Sequence, residues 1–140
     1  MEFLKMKISK LTKEFSVAYQ IEITDIKQIK EADFATIICN RPDGEVEEMA
    51  DYDDIEMLAK ELGMNCYYIP LANRHSVSEQ MIAKTKAAIN NSNGPVLAYC
   101  RTGTRSTILW ALANPDCLSK QEVIAIAANA GYDISTLGGI

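Results

Sequence analysis

Gly94-Pro95-Val96-Leu97-Ala98-Tyr99-Cys100-Arg101-Thr102-Gly103-Thr104-Arg105-Ser106 is the most informative run in the chain. Gly94-Pro95 breaks the chain, and Val96–Tyr99 is a short apolar run that reads as a buried strand. A helical pattern carrying Ile108, Leu109 and Leu112 opens near Thr104 or Arg105 and ends near Asn114-Pro115, because the residue before a proline is driven out of the helical region. Cys100 is therefore delivered by a strand to the foot of a helix.

The same alternation extends outward in both directions. Upstream, Cys66–Ile69 reads as a strand, and Ser76 with Glu79 reads as a capping box opening a helix that buries Met81, Ile82 and Ile89. Before it, Ala35–Cys39 is a β-branched run typical of a buried strand. Arg41-Pro42-Asp43-Gly44 then has turn chemistry, and a helix with Ile55, Leu58, Ala59 and Leu62 is stopped by Gly63. Phe15–Ile23 alternates as a strand, and Thr24 is expected to cap a helix whose apolar face is Ile26, Ile29 and Phe34. Downstream, Ser119 and Glu122 form a second capping box for a helix through Val123, Ile126 and Ala127 to Gly131. Strands alternating with helices imply an α/β fold: a single domain over residues 1–140, with a central, mainly parallel sheet flanked by helices. In such sheets, sites form at the carboxyl ends of the strands.

Composition narrows the partners. The chain has 140 residues, 48% of them hydrophobic and 24% charged, as in ordinary globular domains. Its net charge of −5 argues against nucleic acid, whose phosphates need a basic face. No apolar run approaches the roughly 20 residues of a membrane helix. Met1–Lys7 lacks the apolar core of an export signal, so the cytoplasm is the expected compartment. His75 is the only histidine and the four cysteines form no close pair, so no metal is expected, and no cofactor is implied. The acidic stretch from Asp43 to Glu56 reads as a solvated loop and an acidic helix start, since it lacks the ligand spacing of a calcium loop.

The Cys100 loop carries the chemistry. Its amides, among Arg101, Thr102, Gly103 and Thr104, can turn inward as an anion cradle, with the helix N-terminus adding positive potential. Arg105 offers a planar fork to an oxyanion, and the same field favours the Cys100 thiolate, to which Ser106 could donate. All four arginines, Arg41, Arg74, Arg101 and Arg105, fall just beyond expected strand ends, and no lysine shares those loops. That segregation suggests a cationic pocket at one edge of an acidic domain, with Arg41 as a further anion-binding residue. Cys39 ends a strand at the same edge, where a resolving thiol could stand.

The stretch Ile37-Ile38-Cys39-Asn40-Arg41-Pro42-Asp43-Gly44-Glu45, the 94–106 stretch and the helix Leu109–Ala113 resemble the beta-lactamase-hydrolase-like, phosphatase-like domain family over most of the chain. The resemblance implies a protein tyrosine phosphatase-like fold, with Cys100 as nucleophile and Arg105 as the oxyanion-binding arginine. Three departures stand out. Four residues rather than five separate Cys100 from Arg105, Tyr99 stands where a histidine is usual, and Ala72-Asn73-Arg74-His75 lacks the usual acidic aspartate. Asp43 or His75 would then be the substitute acid. The loop length also resembles single-domain rhodaneses, in which the cysteine carries a persulfide. The leading expectation is therefore a sulfurtransferase forming a persulfide on Cys100 from thiosulfate or a small persulfide. The resemblance further implies a persulfide-oxidising enzyme as partner. The alternatives are hydrolysis of phosphate esters and a non-catalytic module that binds an anion or a partner.

Overall fold

The computed structural model describes residues 7–45 and 49–140. Among the described residues, five strands form one sheet: β1 (Ile8–Thr12), β2 (Phe15–Ala18), β3 (Thr36–Cys39), β4 (Asn65–Tyr68) and β5 (Val96–Tyr99), in the order β1-β2-β5-β3-β4. Five α-helices accompany it: α1 (Ile26–Glu31), α2 (Tyr52–Glu61), α3 (Glu79–Asn90), α4 (Thr104–Ala113) and α5 (Lys120–Asn129). Strands β2, β5, β3 and β4 run parallel, and β1 alone is antiparallel to its neighbour. The α/β fold with a mainly parallel sheet is thus the one the sequence implies.

The central strand explains why its sequence is apolar throughout. Successive side chains of a strand point to opposite faces. Val96 and Ala98 join one core with Phe15, Val17, Ile38, Trp110 and Val123. Leu97 and Tyr99 join the other with Ala18, Ile29, Ile37, Cys39 and Ile55. With helices on both faces, every position of β5 is buried, and each large apolar side chain so buried contributes about 1.5–3 kcal/mol. Helix α4 packs into the first core nearly all round, with Thr107, Ile108, Leu109, Trp110 and Ala111 all buried.

Several local expectations are corrected. The strand expected over Phe15–Ile23 stops at Ala18, because Gln20 N–H leaves the sheet to donate to Arg101 O at 3.2 Å. Thr24 is not a cap. It lies inside a 3-10 turn, Ile23–Asp25, where Glu22 and Asp25 cap each other reciprocally, and Phe34 follows α1 rather than riding on it. Helix α3 is capped by Ser78, whose hydroxyl accepts Met81 N–H at 3.1 Å, because Ser76 is held in the preceding turn by Asn73 O. Its fully buried positions are Thr85 and Ala88, while Met81, Ile82 and Ile89 are half-buried. Strand β1 is absent from the sequence reading; it is an edge strand with a partly exposed, mixed sequence and little alternation to read. The Ser119–Glu122 box forms as read. Residues Met1–Met6, most of the stretch read as lacking an export signal, lie outside the described residues. So does the Val46–Glu48 part of the acidic stretch.

Parallel pairing sets Ala18, Tyr99 and Cys39 side by side at one edge, with Tyr68 beside Cys39. The loops that leave these four strand ends build the site.

Candidate active site

Cys100 follows the last residue of β5 and is 1% exposed. Gly103, at φ +89°, ends the loop as the N-terminal cap of α4, so four residues after the cysteine the chain has already become helix. The Gly103 amide donates to Cys100 Sγ at 3.1 Å. A backbone N–H aimed at sulfur stabilises negative charge on it, and the helix N-terminus acts in the same direction.

Neighbouring loops hold the outward side of this turn. Arg101 O accepts from Gln20 N–H at 3.2 Å, and Thr102 O accepts from the Tyr132 hydroxyl at 2.9 Å. In a trans peptide the C=O and N–H point in opposite directions. Tying the two carbonyls outward therefore aims the Thr102 and Gly103 amides inward. Gly103 O is fixed in turn by both the amide of Thr107, at 3.0 Å, and its hydroxyl, at 2.8 Å. Thr102 and Thr104 share a hydroxyl contact of 3.1 Å on the exposed side.

The Arg105 side chain is 14% exposed and is anchored by a bond from Nη1 to Leu71 O at 2.8 Å. Its fork is met by a carboxylate: Nη1 reaches Glu45 Oε2 at 2.6 Å and Nη2 reaches Glu45 Oε1 at 2.9 Å. This two-pronged pair holds the Glu45 carboxyl below its usual range and raises Arg105 in return. A carboxylate seated this way stands where two oxygens of a tetrahedral anion would bind. Glu45, like Gln20 and Tyr132, is a site residue that sequence reasoning misses. It is visible only as the end of the Arg41–Glu45 turn motif, with no spacing signal linking it to Arg105, 60 residues away.

The other expected members separate. Arg41 is 0% exposed and is not a lining residue of the anion cradle. Its guanidinium bonds Gln20 Oε1, Pro42 O at 3.1 Å and Ala50 O at 2.8 Å, so its charge is used to tie two loops together, the one after β2 and the one after β3. Through Gln20 it also braces the residue that holds Arg101 O. Arg101 itself is exposed. Ser106 Oγ is fully buried with no hydrogen-bond partner among the described residues, so the expected bond to Cys100 is not formed. The sulfur instead takes the Gly103 amide.

Neither candidate acid touches the Cys100 loop through its side chain. Asp43 Oδ1 accepts Tyr52 N–H at 2.8 Å, which commits it to the start of α2. His75 is exposed and lines, with Arg74, Thr136, Leu137 and Gly138, a separate cavity of about 360 Å³. Cys39 is no resolving thiol by its contacts. It shares the Tyr99 face of the sheet, its Sγ donates to Arg41 O at 3.3 Å, and burial pushes its thiol up to about 11.

Residues 7–117 match the family described as beta-lactamase hydrolase-like protein, phosphatase-like domain, and the chain belongs to that family. A beta-lactamase hydrolase-like protein of Xylella fastidiosa is 27% identical over 92% of this chain, which spans only 30% of that relative's length. A candidate phosphatase from Neisseria meningitidis is 32% identical, with a TM-score of 0.80 over 94% of this chain and 93% of its own. TpbA of P. aeruginosa, solved as a cysteine-to-serine variant in complex with phosphotyrosine, shares the fold. It aligns at 10% identity and a TM-score of 0.64, covering 87% of this chain and 72% of that one. The chain is thus a phosphatase-like domain in fold and family.

Proposed function

We propose that this family member is a cysteine-dependent hydrolase of phosphate monoesters, with aryl esters its best substrates. The observation that carries the reading is the Gly103 amide aimed at the buried Cys100 sulfur, on a loop that ends at the fork of Arg105. Cys100 thiolate attacks phosphorus, the ester P–O bond breaks, and the alcohol oxygen leaves. Arg105 and the loop amides hold the equatorial oxygens, whose charge they stabilise more strongly as the transition state forms. Water then attacks the phosphocysteine, releases inorganic phosphate and returns the thiolate. The unpartnered Ser106 hydroxyl is a donor available to the sulfur as it leaves. The substrate dianion displaces Glu45 from Arg105 on entry.

The leaving group sets the preference. With Asp43 committed to the start of α2 and His75 exposed at a separate cavity, an alkyl ester lacks about 10²–10⁴ of rate that a placed acid supplies. A phenolate needs far less help. Phosphotyrosine bound to the distant relative TpbA accords with that choice.

Sulfur transfer, the leading expectation from sequence, keeps two observations in its favour: the four residues between Cys100 and Arg105, and a reaction that needs no acid where neither Asp43 nor His75 reaches the loop. Thiosulfate and a persulfide-oxidising partner rest on that spacing and on resemblance, whereas the family and its solved relatives support phosphate chemistry. One experiment separates the two. Intact mass of Cys100 protein quenched during turnover should show a phosphoryl group with an aryl phosphate. A gain of one sulfur atom from thiosulfate, without turnover of the ester, would reverse the assignment.

A further inference from the structure

The tie on Thr102 comes from a part of the chain that the family match does not reach. That match ends at residue 117, and Tyr132 lies 15 residues beyond it. Local backbone chemistry nevertheless places Tyr132 firmly. Helix α5 ends with Ala130 as its C-terminal cap, and Gly131 follows at φ +98°. Gly131 N–H donates to Ala128 O at 2.9 Å and Tyr132 N–H to Ala127 O at 2.8 Å, the paired bonds of a Schellman ending. The ring packs against the first core, and its hydroxyl stands over the Cys100 loop.

We propose that Tyr132 is a positioning residue for the anion cradle: its hydroxyl turns the Thr102–Gly103 peptide so that the Gly103 amide points at Cys100 Sγ. Two distances define the device, 2.9 Å from Tyr132 Oη to Thr102 O and 3.1 Å from Gly103 N to Cys100 Sγ. They lie at opposite ends of one peptide plane. The fit also explains the glycine. A Cβ on residue 103 would sit 2.2 Å from Tyr132 Oη, and φ +89° disfavours any side chain there. Without the tie, that peptide can rotate and present its carbonyl to the sulfur, which would repel both thiolate and substrate anion.

Only the activity readout below rests on the hydrolytic reading. Tyr132→Phe keeps the ring and removes the one hydroxyl. A single hydrogen bond of about 0.5–1.5 kcal/mol translates into a roughly 2- to 12-fold effect. The expected result is a fall of that size in three quantities: the rate of Cys100 alkylation by iodoacetamide, the affinity for sulfate, and kcat/KM on an aryl phosphate. The urea midpoint should fall by no more than the loss of that one hydrogen bond. Alkylation and sulfate binding unchanged from wild type would overturn the proposal even if stability dropped. A wild type inert on aryl phosphate would count against the hydrolytic reading alone, because the alkylation and sulfate measurements still test Tyr132.

Discussion

Two cysteines stand at the ends of neighbouring parallel strands, Cys39 as the last residue of β3 and Cys100 just past β5, each with an arginine a few residues on, yet their surroundings are opposite. Cys39 points a thiol at a carbonyl, Arg41 O, at 3.3 Å. Cys100 receives an amide, Gly103 N–H, at 3.1 Å. A carbonyl partner favours S–H and an amide partner favours S⁻. The arginines diverge in the same way: Arg41 is sealed among neutral acceptors, and Arg105 faces a carboxylate it can exchange for another anion. Similar local sequence thus yields a structural brace in one loop and, in the other, the turn to which we assign the chemistry. What separates them is which backbone group the next turn presents to sulfur.

Paired substitution of the cysteines should give the largest difference between the two loops. Cys100→Ser should lower hydrolysis of an aryl phosphate by about 10³-fold or more, because a hydroxyl here has no base to activate it. Cys39→Ser should retain activity, since the hydroxyl can still donate to Arg41 O. Loss of activity on both substitutions would show that the two thiols act together.

The arginines give the next largest contrast. Arg105→Ala should cost about 10²–10³ in kcat/KM with little change in stability. Arg41→Ala should act the other way, costing on the order of 2–5 kcal/mol in denaturant unfolding by stranding buried acceptors around a void. An Arg41→Ala protein of wild-type stability would remove its role as a brace.

Thiol labelling distinguishes the two cysteines without mutation. Burial raises Cys39 to about 11 and Cys66 to about 12, so both stay as unreactive thiols until pH climbs through those values. Peptide mapping after iodoacetamide at mildly alkaline pH should find label on exposed Cys117 and on Cys100, with Cys39 and Cys66 modified only after unfolding. Early labelling of Cys39 would contradict the carbonyl-partner account.

The smallest expected effect concerns Glu45. A partly exposed ion pair contributes about 0.2–1 kcal/mol, so Glu45→Gln should tighten sulfate binding by up to about 5-fold as the competing carboxylate is lost. In the wild type Arg105 holds the Glu45 carboxyl low, so the pair is intact throughout the ordinary glutamate range and breaks as pH falls through the lowered value. Sulfate binding to the wild type should therefore strengthen only once pH drops below the ordinary glutamate value of about 4.3, and this rise should be absent from the Gln variant.

Contiguous residues were enough to specify the alternation of strands and helices, the burial of β5 on both faces and the position of Cys100 at a strand end before a helix. Each is written locally, as an apolar run, a glycine, a capping pair or a helical period. Arg105 was legible for the same reason, because it sits in the same loop. Long-range packing settled the rest: which arginine is buried, which carboxylate meets Arg105, and that Gln20 and Tyr132 hold the loop carbonyls outward. The physical reason is distance along the chain. Thr102 and Tyr132 are 30 residues apart, and Glu45 and Arg105 are 60. No periodicity or local preference links them; sheet order and the ending of α5 bring them together.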